Sequence, residues 1–129
     1  MDPQQELFTA LRQILIDLHG ENSVYDGALP PEGVKYPFDY ISESLQIDKA
    51  NKSAVFGKVT QTIHVWHSDT SKRGSLSKRL LKIKEKARKL SHTENFAWNL
   101  NEVNQHIMAD KTTKTPLLHG VLELTYHFS

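Results

Sequence analysis

The strictest pattern in the chain is its last twelve residues. From Leu117 to Phe128, one set of alternate positions reads Leu118, Gly120, Leu122, Leu124, Tyr126 and Phe128. The other reads Leu117, His119, Val121, Glu123, Thr125 and His127. Side chains alternate across an extended chain, so this segment reads as a strand with one face in a core. Lys58–His67 repeats the pattern. Val59, Gln61, Ile63, Val65 and His67 point one way; Lys58, Thr60, Thr62, His64 and Trp66 point the other. Strands of this kind need a cover for their apolar face.

Two helices supply it. Asp2-Pro3 suits a helix start, with Asp as the cap and Pro at the first position. Leu7, Phe8, Leu11, Ile14, Leu15 and Leu18 follow at helical spacing, and His19-Gly20 closes the segment. A second helix begins near Ser75. Leu76, Leu80, Ile83, Ala87 and Leu90 form its apolar stripe, with Leu81 beside it. Lys78, Arg79, Lys82, Lys86 and Lys89 cover its other side.

The remaining segments are less regular. Residues 20–37 carry three Gly and three Pro and read as loop, with room for a short strand at Ser23-Val24-Tyr25. Phe38, Tyr40, Ile41, Leu45 and Ile47 mark an extended segment, and residues 48–56 a polar loop. Phe96, Trp98 and Leu100, then Val103 and Ile107 after a phase slip, describe a strand with a bulge. Residues 108–115 read as a polar turn. The expected fold is α+β: a mixed or antiparallel sheet of about four strands with two helices packed on one face, in a single domain spanning 1–129.

Composition narrows the function. The hydrophobic share is 38% and the charged share 24%, as in an ordinary globular protein. No apolar run approaches the ~20 residues of a bilayer span, and the acidic, polar start is not expected to be a signal peptide. With no cysteine in the sequence, disulfides, thiolate metal sites and cysteine nucleophiles are excluded. The net charge is +1 but unevenly spread. Residues 72–90 hold nine basic residues against Glu85 alone, leaving seven basic residues and fourteen acids elsewhere. Such a chain has a positive and a negative side, which matters for docking.

No catalytic constellation emerges. His64 and His67 are three apart on a strand and project to opposite faces, while His119 and His127 share a face roughly 26 Å apart. The seven histidines therefore read as surface or partly buried residues, not as a metal set. There is no Gly-x-Ser-x-Gly elbow and no phosphate-binding glycine loop. The chain is expected not to be an enzyme and to use no cofactor. The basic helix has three readings: a solvated face, a docking surface for an acidic partner or neighbouring subunit, or a nucleic-acid contact. It carries no aromatic residue, so base stacking is not indicated. Trp66 and Trp98 read as core or sheet-surface residues, and as interface if exposed.

One resemblance is specific enough to state. An amphipathic first helix and a Gly/Pro-rich loop precede Tyr36-Pro37-Phe38-Asp39-Tyr40-Ile41. Gln61-Thr62-Ile63-His64-Val65-Trp66-His67 follows, then a helix from Gly74-Ser75, and last Gly120-Val121-Leu122-Glu123-Leu124-Thr125-Tyr126. From about residue 4 to residue 128 the chain resembles the tail terminators of long-tailed bacteriophages, also called tail-completion or head–tail joining proteins. The resemblance implies a virion protein, assembled in the host cytoplasm. It would form a homo-oligomer, hexameric in such rings, that caps the tail tube, ends its polymerisation and joins it to the head connector. Tail-tube and connector proteins are then the partners, with no membrane and only incidental nucleic acid. The implied contacts lie in loops 48–56 and 68–74, at Asp48, Lys49, Asn51, Lys52, Asp69, Lys72 and Arg73. Lys82, Lys86 and Lys89 of the basic helix join them as candidates.

Overall fold

The structure, a computed structural model, describes residues 1–50 and 55–129. Asn51 and Lys52 lie outside the described residues. The element order is α1 (Pro3–His19), a 3-10 turn (Glu21–Ser23), β1 (Val24–Asp26), β2 (Phe38–Ala50), β3 (Val55–His67), α2 (Arg73–Lys89), β4 (Trp98–Asp110) and β5 (Leu117–Phe128). The strands form one sheet in the order β1-β2-β3-β5-β4. β1 runs parallel to β2 and every other neighbouring pair is antiparallel, so the sheet is mixed. The expected α+β fold holds, with five strands instead of about four.

α1 is capped at both ends, whereas α2 starts after Lys72 with no side-chain cap. The Asp2 carboxylate accepts from the Gln5 backbone N–H at 3.1 Å, and Gly20 closes α1 at φ 90°. α1 lies over β1, β2 and β3; α2 lies over β3, β5 and β4; both are on one face. Leu7, Leu11 and Leu15 of α1 meet Leu76, Leu80, Ile83 and Ala87 of α2 over the strand residues Val59, Ile63, Val65, Leu122 and Leu124, all buried. Each large buried side chain contributes roughly 1.5–3 kcal/mol. The alternation in β5 holds throughout: all six even-numbered residues are buried. Tyr126 is among them. Its hydroxyl donates to the Ala87 carbonyl at 2.7 Å, an acceptor in the last turn of α2 that also takes the Leu90 N–H at 3.3 Å. Burial pushes that phenol above its usual range.

The outer strands differ from the sequence expectation. β2 continues through Asp48 and Lys49, which are strand residues and not loop residues. Their polarity misled because a hairpin end beyond the helices is solvated on both faces. β4 likewise runs through Met108, Ala109 and Asp110, where a turn was expected. At Gly57 the β2 backbone comes so close that a Cβ would stand 2.2 Å from the Ile47 carbonyl oxygen, so only glycine fits this pairing.

Both outer strands are bulged. The β2–β3 register passes from Ile41↔Ile63 to Ser44↔Gln61, leaving Ser42 and Glu43 opposite Thr62. The β4–β5 register slips by one residue at Asn101, where the sequence implied it. Gln61 explains how the first bulge is tolerated. Its buried side-chain amide donates to the carbonyls of Ser42 at 3.0 Å, Glu43 at 3.2 Å and Thr62 at 3.0 Å. Gln61→Leu is expected to destabilise by about 1–3 kcal/mol, because buried acceptors lose their donor without regaining water. Chemical denaturation measures this, and an unchanged midpoint would refute the role.

Candidate assembly surfaces

The helices cover one face of the sheet and leave the other open. The centre of this open face is a shallow polar groove. Thr60, Thr62 and Thr125 form its floor, and Glu43, Glu102, Glu123 and Lys58 are among the residues around it. Thr60 and Thr125 share a hydrogen bond at 2.9 Å across β3 and β5.

One end of this face is aromatic. Trp66 stacks on His119 at 3.7 Å between ring centres, with planes 6° apart. His119 Nε2 stands 2.8 Å from His64 Nδ1. This pair was invisible to a search for spacings within a strand, because it forms between β3 and β5, 55 residues apart. Knowing that β3 and β5 are neighbours would have found it. Among the described residues no group of three or more His, Cys, Asp or Glu converges as a metal site would require. Beside the stack, loop 29–34 with Thr113 and Leu117 walls a cleft of about 480 Å³ with Tyr36, Phe38 and Trp66.

Burial pulls the His119 imidazole down to about 4, His64 adds to the effect, and the Asp110 carboxylate opposes it. Burial lowers His64 too, against Glu43. The fold therefore holds His119 neutral, while the unfolded chain takes up a proton near the ordinary value of 6.5. Its contribution is whole above that pH and is lost as pH falls from about 6.5 to about 4. For a half-buried group screened by solvent the loss is about 1 kcal/mol. Denaturation midpoints at pH 7.5 and 4.5 should differ less in His119→Asn than in the parent chain; an equal difference would remove His119 as the cause.

The candidate contact residues do not converge on one spot. Asp48 and Lys49 end β2 at one end of β3. Asp69 and Lys72 lie at the other end, in the turn entering α2, roughly 40 Å away by strand rise, and Arg73, expected in a loop, is the first residue of the helix. There the Asp69 carboxylate accepts from the Ser71 backbone N–H and hydroxyl, which hold it below its usual range. Lys82, Lys86 and Lys89 are exposed along α2. Lys82 joins Ser75, Lys78 and Arg79 in a cleft against Leu18 and His19 at the end of α1. Of the two tryptophans, Trp98 is buried and donates from Nε1 to Thr93, while Trp66 is part-exposed on the open face.

One buried site escaped the sequence reading. Asp39, fully buried, accepts from His19 Nδ1 at 2.5 Å and from Arg79 Nε at 2.9 Å. It ties the end of α1 and the first half of α2 to β2. Arg79 is therefore not part of the solvated basic face.

The comparisons with known proteins bear on the fold. No family model and no curated protein matches the sequence. Among solved structures the chain is similar to one from the "Virion of native gene transfer agent (GTA) particle", with a TM-score of 0.67. The match covers 98% of this chain and 93% of that one, at 14% sequence identity. The two share a fold over nearly their whole lengths. No helix among the described residues is long and apolar enough to cross a membrane.

Proposed function

We propose that this chain is a structural subunit of a phage-like particle, of the tail-terminator type. It assembles as a ring, hexameric by the family likeness, on the head-proximal end of the tail tube. It ends tube polymerisation and joins the tube to the head connector. The observation that carries this reading is the near full-length fold match to a chain of a virion. The surfaces support it: a helix-covered face, an open face and two opposite edges equip a subunit for contacts. In this reading it has no catalytic task. Light scattering, alone and with the tail-tube protein, tests it. A ring of several copies that binds tube ends is expected; a strict monomer that never binds them overturns it.

The second reading is a nucleic-acid-binding module, favoured by the exposure of Lys82, Lys86 and Lys89. Charge reversal at all three separates the two. Ring formation unaffected, with no salt-dependent DNA affinity to lose, favours the structural subunit. Loss of such an affinity favours the module.

A further inference from the structure

We infer that the free edge of β4 in one copy adds antiparallel to the free edge of β2 in a second copy, so that the sheet continues from subunit to subunit. This rests on the ring reading only in requiring that copies associate. Among the described residues β1 covers β2 only at Asp39–Ile41, leaving the edge from Ser42 onward unpaired. On the opposite side β4 pairs with β5 alone; the Trp98 N–H is taken by the Ser91 carbonyl at 2.8 Å, and among the described residues the outer edge is free from Asn99 to Asp110. Long edges of this kind are usually blunted by lysine, proline, a bulge or a covering element; β4 contains neither residue, and beyond its bulge at Asn101 it runs regularly from Glu102 to Asp110.

Direction favours the union. β2 opposes β3, β3 opposes β5 and β5 opposes β4, so β2 and β4 run opposite ways. Rotation about an axis along the strands preserves direction. The β4 of one copy therefore meets the β2 of the next antiparallel, in a head-to-tail contact of the kind that closes rings.

The side chains along the two edges agree. Leu45 and Ile47 on β2 and Met108 on β4 stand 60%, 41% and 43% exposed, all on the open face. Leu100, Val103 and Ile107 on the helix side of β4 are only half-buried, because β4 lies at the rim of the core. Charge is complementary as well. Residues 21–48, which build the β1–β2 side, hold six acids against Lys35, and only Asp39 of the six is buried. The flank of α2 turned away from α1, above β4, presents Arg73, Lys84 and Arg88 around the exposed Leu81. Glu102 and Asp110 also lie on β4; Lys49 is the cation that β2 offers them.

The absence of cysteine makes the test direct. Leu45→Cys and Asn104→Cys, introduced together, supply the only thiols, on the open face of the two edges. A bifunctional maleimide applied to the assembled protein should give a covalent ladder ending at the ring, whereas either single variant stops at dimers. Amide exchange over 42–50 and 98–110 should slow on assembly by on the order of tenfold or more. A ring with neither ladder nor slowed exchange overturns the edge pairing and leaves the ring reading standing. Particles that stay monomeric, with or without tube protein, overturn both.

Discussion

Asp39→Ala is expected to cost the fold about 3–5 kcal/mol, the range for removing one partner of a buried ion pair. The carboxylate has no exposed surface and takes one donor from each helix, His19 Nδ1 at 2.5 Å and Arg79 Nε at 2.9 Å. Arg79 already has one buried nitrogen, Nη2, without a partner. Without Asp39 the guanidinium would be left with its charge unmet in the cleft it shares with Lys78 and Lys82. Asp39→Asn keeps the shape and some of the hydrogen bonding, and should cost less. Urea denaturation of the two variants at neutral pH measures this. A loss below about 1 kcal/mol for Asp39→Ala would show that Arg79 and His19 swing out to water instead.

The second large effect is expected where α2 meets β5. Leu80 is fully buried, and its Cδ1 would stand 3.0 Å from a Cβ placed on Gly120. Glycine at 120 is thus the hollow into which Leu80 fits. Leu80→Ala should cost about 2–5 kcal/mol, the transfer term plus the cavity left behind. Gly120→Ala should cost about 1–3 kcal/mol by overpacking against the leucine. Together they should cost less than the sum, since the alanine methyl at 120 enters space that Leu80 vacates. Thermal or chemical denaturation of the four proteins in the cycle decides this. Strict additivity would mean that the helix moves as a body and the two sites do not share a cavity.

These two sites differ in how far they could be read from sequence. Leu80 belongs to a helical stripe and Gly120 to an alternating strand, so both faces were legible before the structure. Their contact was not, because it depends on which strands lie beneath α2. Asp39 sits within Tyr36–Ile41, where only the apolar residues were interpreted. Its partners are 20 and 40 residues away, and no local pattern marks a buried carboxylate. Long apolar periodicities thus conveyed α1, α2, β3 and β5, and even the slip in β4. The ends of β2 and β4 were lost because polar residues there belong to strands whose neighbours cover them on one side at most. Of the contact residues chosen in loops, the structure sets Asp48 and Lys49 at one end of the sheet and Asp69, Lys72 and Arg73 at the other. The candidate assembly edges are made of backbone, which side-chain patterns do not describe.

The two bulges have a consequence for how this chain can change. In β2 the helix-facing residues are odd-numbered up to Ile41 and even-numbered from Ser44. In β4 they are even-numbered up to Leu100 and odd-numbered from Val103. Each outer strand thus carries one extra residue that inverts its phase, while β3 and β5 between them keep theirs. Regular alternation through Asn101, with no bulge, would turn Trp98 and Leu100 out of the core onto the open face without altering a single side chain. In these strands counting matters more than spelling: substitution is cheap at most exposed positions, and a residue gained or lost away from the bulge is not.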